Sequence, residues 1–144
     1  KQPWKCQEKL RYIMDTFYGN TPGSLSGNDD CGQMSAWYIF NTMGFYPTAP
    51  SSNVYNLGSP GLPAGDMCMS NGKHIRVTTK NWSKKNVYVK EIYLNGEKYN
   101  KSYITYNDIK DGMDLHFVMS ARPNYKRGIS DDAVPPSISE KKCK

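Results

Sequence analysis

The sequence predicts an α+β fold: two N-terminal helices followed by a small antiparallel β-sandwich. Three observations carry that expectation. Apolar residues recur every three or four positions in the first part of the chain. Beyond about residue 50 they recur with a period near two, as in half-buried strands. Within that second part stand two hairpin turn sequences, Ser70-Asn71-Gly72-Lys73 and Asn95-Gly96.

Residues 3–18 read as an amphipathic helix. Pro3 suits the first helical position, and Cys6, Leu10, Ile13, Met14 and Phe17 repeat at helical spacing. Lys5, Glu8, Arg11 and Asp15 fill the opposite side, and Gly19 ends the segment. Residues 19–29 are loop by composition, rich in Gly, Ser, Asn and Pro.

A second helix is expected over residues 31–43. Asp30 and Gln33 have the Asp-x-x-Gln spacing of a capping box, in which two side chains satisfy amides at a helix start. Gly44 suits the left-handed residue after the last turn, and Pro47 follows. Met34, Trp37, Tyr38, Ile39, Phe40 and Met43 leave no wholly polar face, so burial on most sides is expected. One amphipathic partner cannot cover them all, which predicts packing on the sheet or on a second copy of the chain.

In the β region, Asp66–Met69 and His74–Thr79 flank the first hairpin turn, with Ile75 and Val77 inward and Arg76 and Thr78 outward. Residues 86–94 put Val87 and Val89 on one parity but Ile92 and Leu94 on the other. A bulge near Lys90-Glu91 reconciles them, as does burial on both faces. Asn95-Gly96 turns the chain into Glu97–Asn100, which residues 102–106 are expected to continue. Asp108–Gly112 reads as a polar turn. Met113, Leu115, Phe117 and Met119 alternate with polar residues in the cleanest strand of the chain. From Tyr125 onward there is no periodicity, and an extended or disordered tail is expected.

Composition narrows the function. The net charge of +6 comes from scattered lysines without an Arg-rich stripe, so a solvated surface is preferred over nucleic-acid binding. No apolar run approaches the roughly 20 residues needed to span a bilayer, and no signal peptide is read at the start. Cys6, Cys31, Cys68 and Cys143 form no Cys-x-x-Cys pair, and His74 and His116 offer no ligand spacing. Free or buried thiols are therefore expected, and zinc is not. Asn81-Trp82-Ser83 and Asn100-Lys101-Ser102 match the glycosylation acceptor pattern and read as loop residues. Trp82, in a polar loop, is the best exposed aromatic candidate for sugar contact. Trp37 and Tyr38 read as core, and both histidines as structural.

The chemistry concentrates in the turn Asn28-Asp29-Asp30. A cap needs one acid, whereas here two adjacent acids and an amide stand between glycines at a helix start. Such a position favours an ionised carboxylate, as a general base near neutral pH requires.

Gly-Asn-Asp-Asp-Cys-Gly-Gln-Met-Ser-Ala-Trp-Tyr (27–38), with Met43-Gly44-Phe45-Tyr46-Pro47, resembles the calcium-dependent exo-α-mannosidases of glycoside hydrolase family 92. The likeness continues through Tyr55-Asn56-Leu57-Gly58-Ser59-Pro60, Tyr93-Leu94-Asn95-Gly96, Tyr103-Ile104 with Asp108-Ile109, Arg122-Pro123-Asn124 and Pro135-Pro136-Ser137. Those enzymes are several times longer, with an N-terminal β-sandwich and an (α/α)6 barrel upstream of a C-terminal part like this one.

The resemblance implies that residues 1–48 are the last helices of the barrel, 49–124 a C-terminal β-sandwich module and 125–144 a tail. It implies Asp30 as general base, with Asn28 where some relatives carry a second acid, and Asp29 orienting water or capping the helix. The general-acid glutamate has no counterpart in these residues. The implied activity is hydrolysis of non-reducing terminal α-mannose, α-1,2-type, with inversion, by the longer enzyme; the fragment alone is expected to be inactive. Calcium is the implied cofactor, with no ligands assignable here. Implied partners are α-mannoside oligosaccharides or N-glycan mannose and the upstream domains, in a periplasmic, cell-surface or secreted location. One rival reading makes the β module a non-catalytic carbohydrate-binding or scaffold domain, motivated by tyrosine richness; another makes it a structural brace without a ligand.

Overall fold

The computed structural model describes residues 1–49 and 51–137. Helix α1 spans Pro3–Phe17. A single 3-10 turn at Asp30–Gly32 leads into α2, Gln33–Thr42. Strands β1 (Phe45–Tyr46) and β2 (Val54–Leu57) follow, then the hairpin β3 (Ala64–Cys68) and β4 (His74–Lys80). Next come β5 (Tyr88–Leu94), β6 (Glu97–Lys98), β7 (Tyr103–Thr105), the short helix α3 (Tyr106–Ile109) and β8 (Met113–Ser120).

The strands form two sheets, ordered β1-β2-β7 and β3-β4-β8-β5-β6. The α+β class and the two-sheet arrangement agree with the expectation, with one difference inside the larger sheet. Strand β8 inserts between β4 and β5, parallel to β4 and antiparallel to β5. Its Met113, Leu115, Phe117 and Met119 are buried throughout, which fits a central strand whose neighbours come from both sides.

Local turn chemistry sets several registers. The Ser70–Lys73 turn closes the β3–β4 hairpin, with Met69 N–H on the Lys73 carbonyl at 2.8 Å and Gly72 N–H on the Met69 carbonyl at 2.9 Å. Asn95 (φ 51°) and Gly96 (φ 85°) are both left-handed, the conformation of a two-residue I′ hairpin turn between Leu94 and Glu97. A register shift between Val89 and Glu91 marks the expected bulge at Lys90. It lets both Val89 and Ile92 reach the core despite their opposite parity.

Three expectations are corrected. Residues 103–105 do not continue β6; they pair with β2 in the other sheet, Tyr55 opposite Ile104. The segment 106–109 is a helical turn, because Thr105 and Asp108 form a capping box and Ile109 is buried beneath it. Residues 125–137 are not simply extended. Arg127, Gly128 and Ala133 are buried where Ser102 donates its hydroxyl to the Gly128 carbonyl and its N–H to the Ala133 carbonyl. The remainder of the expected tail lies outside the described residues.

One core joins both sheets: Phe45, Leu57 and Ile104 from the smaller meet Ile92, Leu115 and Phe117 from the larger. Gly44 makes that junction possible. It ends α2 in the left-handed region (φ 89°), and a Cβ there would lie 2.9 Å from the Phe117 ring.

Helix α1 packs by polar groups, against expectation. Its buried residues are Gln7, Arg11 and Met14, while Cys6 and Phe17 of the expected apolar face are exposed. The reason is backbone left unpaired on strand β5 and in the loop before β3. Gln7 Oε1 accepts the buried Val89 N–H at 3.1 Å, and Arg11 Nη1 donates to the Pro60 carbonyl at 2.9 Å. Helix α2 is likewise less covered than its composition suggests: Ile39 is 52% and Tyr38 38% exposed, whereas Met43 is 5% exposed.

Candidate active site

The loop after α1 brings the acid-bearing turn back against the start of α2. Cys31 (φ 52°, ψ 27°) and Gly32 (φ 76°, ψ 14°) are both left-handed, so the chain takes an extra step before the helix begins at Gln33. That step moves the cap. The expected Asp30–Gln33 capping box does not form; Asp29 does the work instead. Its Oδ1 accepts the main-chain N–H groups of Met34 at 2.8 Å and Ser35 at 3.1 Å, and its Oδ2 accepts the Ser35 hydroxyl. Hydrogen bonding from Ser35, with lesser help from Met34, holds the Asp29 carboxyl below the usual range.

Asp30 is left exposed, and its carboxylate makes no hydrogen bond or ion pair among the described residues. Asn28 is exposed on the same turn. Three neighbouring side chains thus divide into one that holds the helix and two that project free donors and acceptors. A carboxyl group free of structural bonds is available to exchange a proton with water.

Aromatic rings stand next to this turn. Tyr18 stacks on Tyr38 (centroids 4.8 Å, interplanar 28°) and on Trp37 (5.5 Å, 12°). Burial raises the Tyr18 hydroxyl pKa, and the negative charge of Asp29 adds to the shift. The sequence offered no sign of these stacks: Tyr18 reads only as the last residue of the helix expected over residues 3–18. Trp37 is only part-buried and Tyr38 is exposed, both more open than the core reading expected.

The other candidates separate from this place. Trp82 is not a free aromatic: it is part-buried, with the Arg11 guanidinium 5.9 Å from its ring centre. His74 pairs with Asp66 at 2.6 Å, and His116 Nδ1 bonds the Thr78 hydroxyl at 2.8 Å. Cys6, Cys31 and Cys68 are free and exposed; Cys143 lies outside the described residues. Of the two glycosylation patterns, Asn100-Lys101-Ser102 has its serine buried and bonded.

Calcium asks for six to eight oxygen ligands. Among the described residues no group of three or more His, Cys, Asp or Glu is placed to hold a metal ion. The Asp29 carboxylate is committed to α2, so the turn offers one free carboxylate and one amide. Those residues alone do not fit a calcium site.

A helix pair joined by an acid-bearing loop leads into two packed sheets. Residues 1–121 match the glycosyl hydrolase family 92 catalytic domain, and the chain belongs to that family. It superposes on the family GH92 α-mannosidase BT3965 of Bacteroides thetaiotaomicron with a TM-score of 0.93 and 68% identity, over 94% of this chain and 18% of that one. That enzyme has also been solved in complex with mannoimidazole. The family GH92 inverting mannosidase BT2199 of the same organism matches at 35% identity and a TM-score of 0.89, over 96% of this chain and 19% of that one. A fungal relative described as an uncharacterized secreted glycosidase, from Arthroderma benhamiae, is 32% identical over 130 residues, 88% of this chain and 16% of its own length. The chain therefore spans less than a fifth of the length of these relatives. No helix among the described residues is long and apolar enough to cross a membrane.

Proposed function

We propose that the chain supplies the general-base turn of an inverting exo-α-mannosidase, acting on non-reducing terminal mannose of the α-1,2 type. One observation carries this reading: Asp29 takes over the capping of α2, leaving Asp30 exposed and without a hydrogen-bond or ion-pair partner among the described residues. In an inverting glycosidase one carboxylate draws the proton from an attacking water while a carboxylic acid across the bond protonates the leaving oxygen; the two stand ~6.5–9.5 Å apart. Asp30 takes the first role, and the Asn28 amide orients the water or the carboxylate. The acid partner belongs to the portion present in the relatives and absent from these residues, so the 144-residue chain is inactive by itself.

In this reading residues 1–48 close a helical barrel and 49–124 brace it. The exposed Tyr38 and Ile39 are the surface that upstream helices, or a second copy in their absence, would cover. The substrates are α-mannoside oligosaccharides or N-glycan mannose. The 68% identity to an α-mannosidase and the mannose-like ligand of that relative support the sugar class. The secreted relative supports export, to the periplasm, cell surface or medium. Calcium, the family's expected ion, would draw most of its ligands from outside this chain.

The test is turnover of an α-mannoside by residues 1–144 joined to the upstream portion, with and without Asp30→Ala. Loss of about 10²–10⁴-fold is expected for a general base; unchanged turnover would remove Asp30 from the chemistry.

A further inference from the structure

The face of the larger sheet turned away from the core carries a cavity of about 710 Å³, within the usual range for small-molecule sites. Its floor is one row across three strands. Thr78 on β4 lies opposite His116 on β8, which lies opposite Tyr93 on β5. Each side chain in the row is already oriented. The Thr78 hydroxyl bonds His116 Nδ1 at 2.8 Å, and the His116 ring leans on Tyr93 with centroids 6.1 Å apart. The Tyr93 hydroxyl donates to Glu91 Oε2 at 3.1 Å.

The bulge in β5 shapes one end of this cavity. Successive residues of a regular strand point to opposite faces. Here Lys90 and Glu91 both line the same cavity, because the register shift between Val89 and Glu91 re-aims the strand. Lys80, opposite Val118 on the other flank, completes that end.

The charges do not cancel. Glu91 is paired by Lys98 at 3.6 Å, outside the set that lines the cavity, and Asp114 by Arg76 at 3.9 Å. The ammonium groups of Lys80 and Lys90 have no acidic or hydrogen-bonding partner among the described residues. An aromatic ring and fixed hydroxyl and imidazole groups therefore adjoin two uncompensated positive charges.

We propose that this cavity binds a saccharide bearing an anionic group, phosphate or carboxylate. The sugar ring lies on Tyr93, its hydroxyls meet Thr78 and His116, and the anion sits between Lys80 and Lys90. Only the choice of a sugar leans on the glycosidase reading; the site itself is separate from Asp30 and needs no turnover.

The experiment is an amide-resolved NMR titration of the 144-residue chain with mannose 6-phosphate, glucuronate, mannose and inorganic phosphate. At least one anionic sugar should saturate, shifting Thr78, Tyr93 and His116, about tenfold more tightly than mannose or inorganic phosphate. The phosphate and carboxylate arms identify the anion. Lys80→Glu with Lys90→Glu should weaken binding about tenfold or more, added salt should weaken it too, and Asp30→Ala should leave it unchanged. Tyr93→Leu keeps an apolar strand residue while removing the platform and should also weaken binding. Absence of saturation, shifts centred elsewhere, equal binding of mannose or inorganic phosphate, or sensitivity to Asp30→Ala would overturn the proposal. The Asp30 turnover test is indifferent to all of these results.

Discussion

Asp29 and Ser35 bracket the acid-bearing turn: the Asp29 carboxylate accepts both the main-chain N–H and the hydroxyl of Ser35. Between them the chain passes through two left-handed residues, Cys31 and Gly32. The bracket fixes the direction in which Asp30 leaves the helix start. Ser35→Ala removes one of its bonds and should lower the midpoint of denaturant melts. Asp29→Ala, which removes them all, should destabilise the helix more than Asp30→Ala does.

Acid should release this bracket. The folded-state pKa of Asp29 is depressed below the 3.8 of a free aspartate, by Ser35 first. A depressed carboxyl contributes stability that is present above its unfolded value and lost as pH falls through its folded value. Asp66, lowered by its bonds to His74 and Arg76, behaves with the same sign in the β3–β4 hairpin. Thermal melts should show stability falling as pH drops below about 4, and Asp29→Asn should flatten part of that fall.

Gly44 should not tolerate a side chain. Its φ of 89° and the Phe117 ring 2.9 Å from a built Cβ both oppose one. Gly44→Ala should cost about 1–3 kcal/mol, read by urea denaturation.

Gln7→Leu should also destabilise, although it adds an apolar residue to a buried helix face. It leaves the Val89 N–H buried without its acceptor, at a cost of about 1–3 kcal/mol. Native hydrogen exchange at Val89 should rise in the variant.

Much of the fold was legible because it is written locally. The Asn95-Gly96 turn, the bulge at Lys90 and the Met113–Met119 alternation depend on residues within one hairpin or strand. What escaped depends on distant partners. Nothing near β8 states that it runs parallel to β4, and no period shows that Gln7 serves an amide 82 residues away and Arg11 a carbonyl 49 residues away. The acid turn was recognisable from its composition, but the division of labour within it was not. Two left-handed residues shifted the cap from Asp30 to Asp29, a conformational choice that the Asp-x-x-Gln spacing conceals.

The central claim concerns Asp30, and pre-steady or steady turnover of an α-mannoside tests it most directly, in residues 1–144 joined to the upstream portion. With Asp30→Ala the account predicts a fall of about 10²–10⁴-fold at unchanged melting behaviour. Full activity in that variant would contradict it.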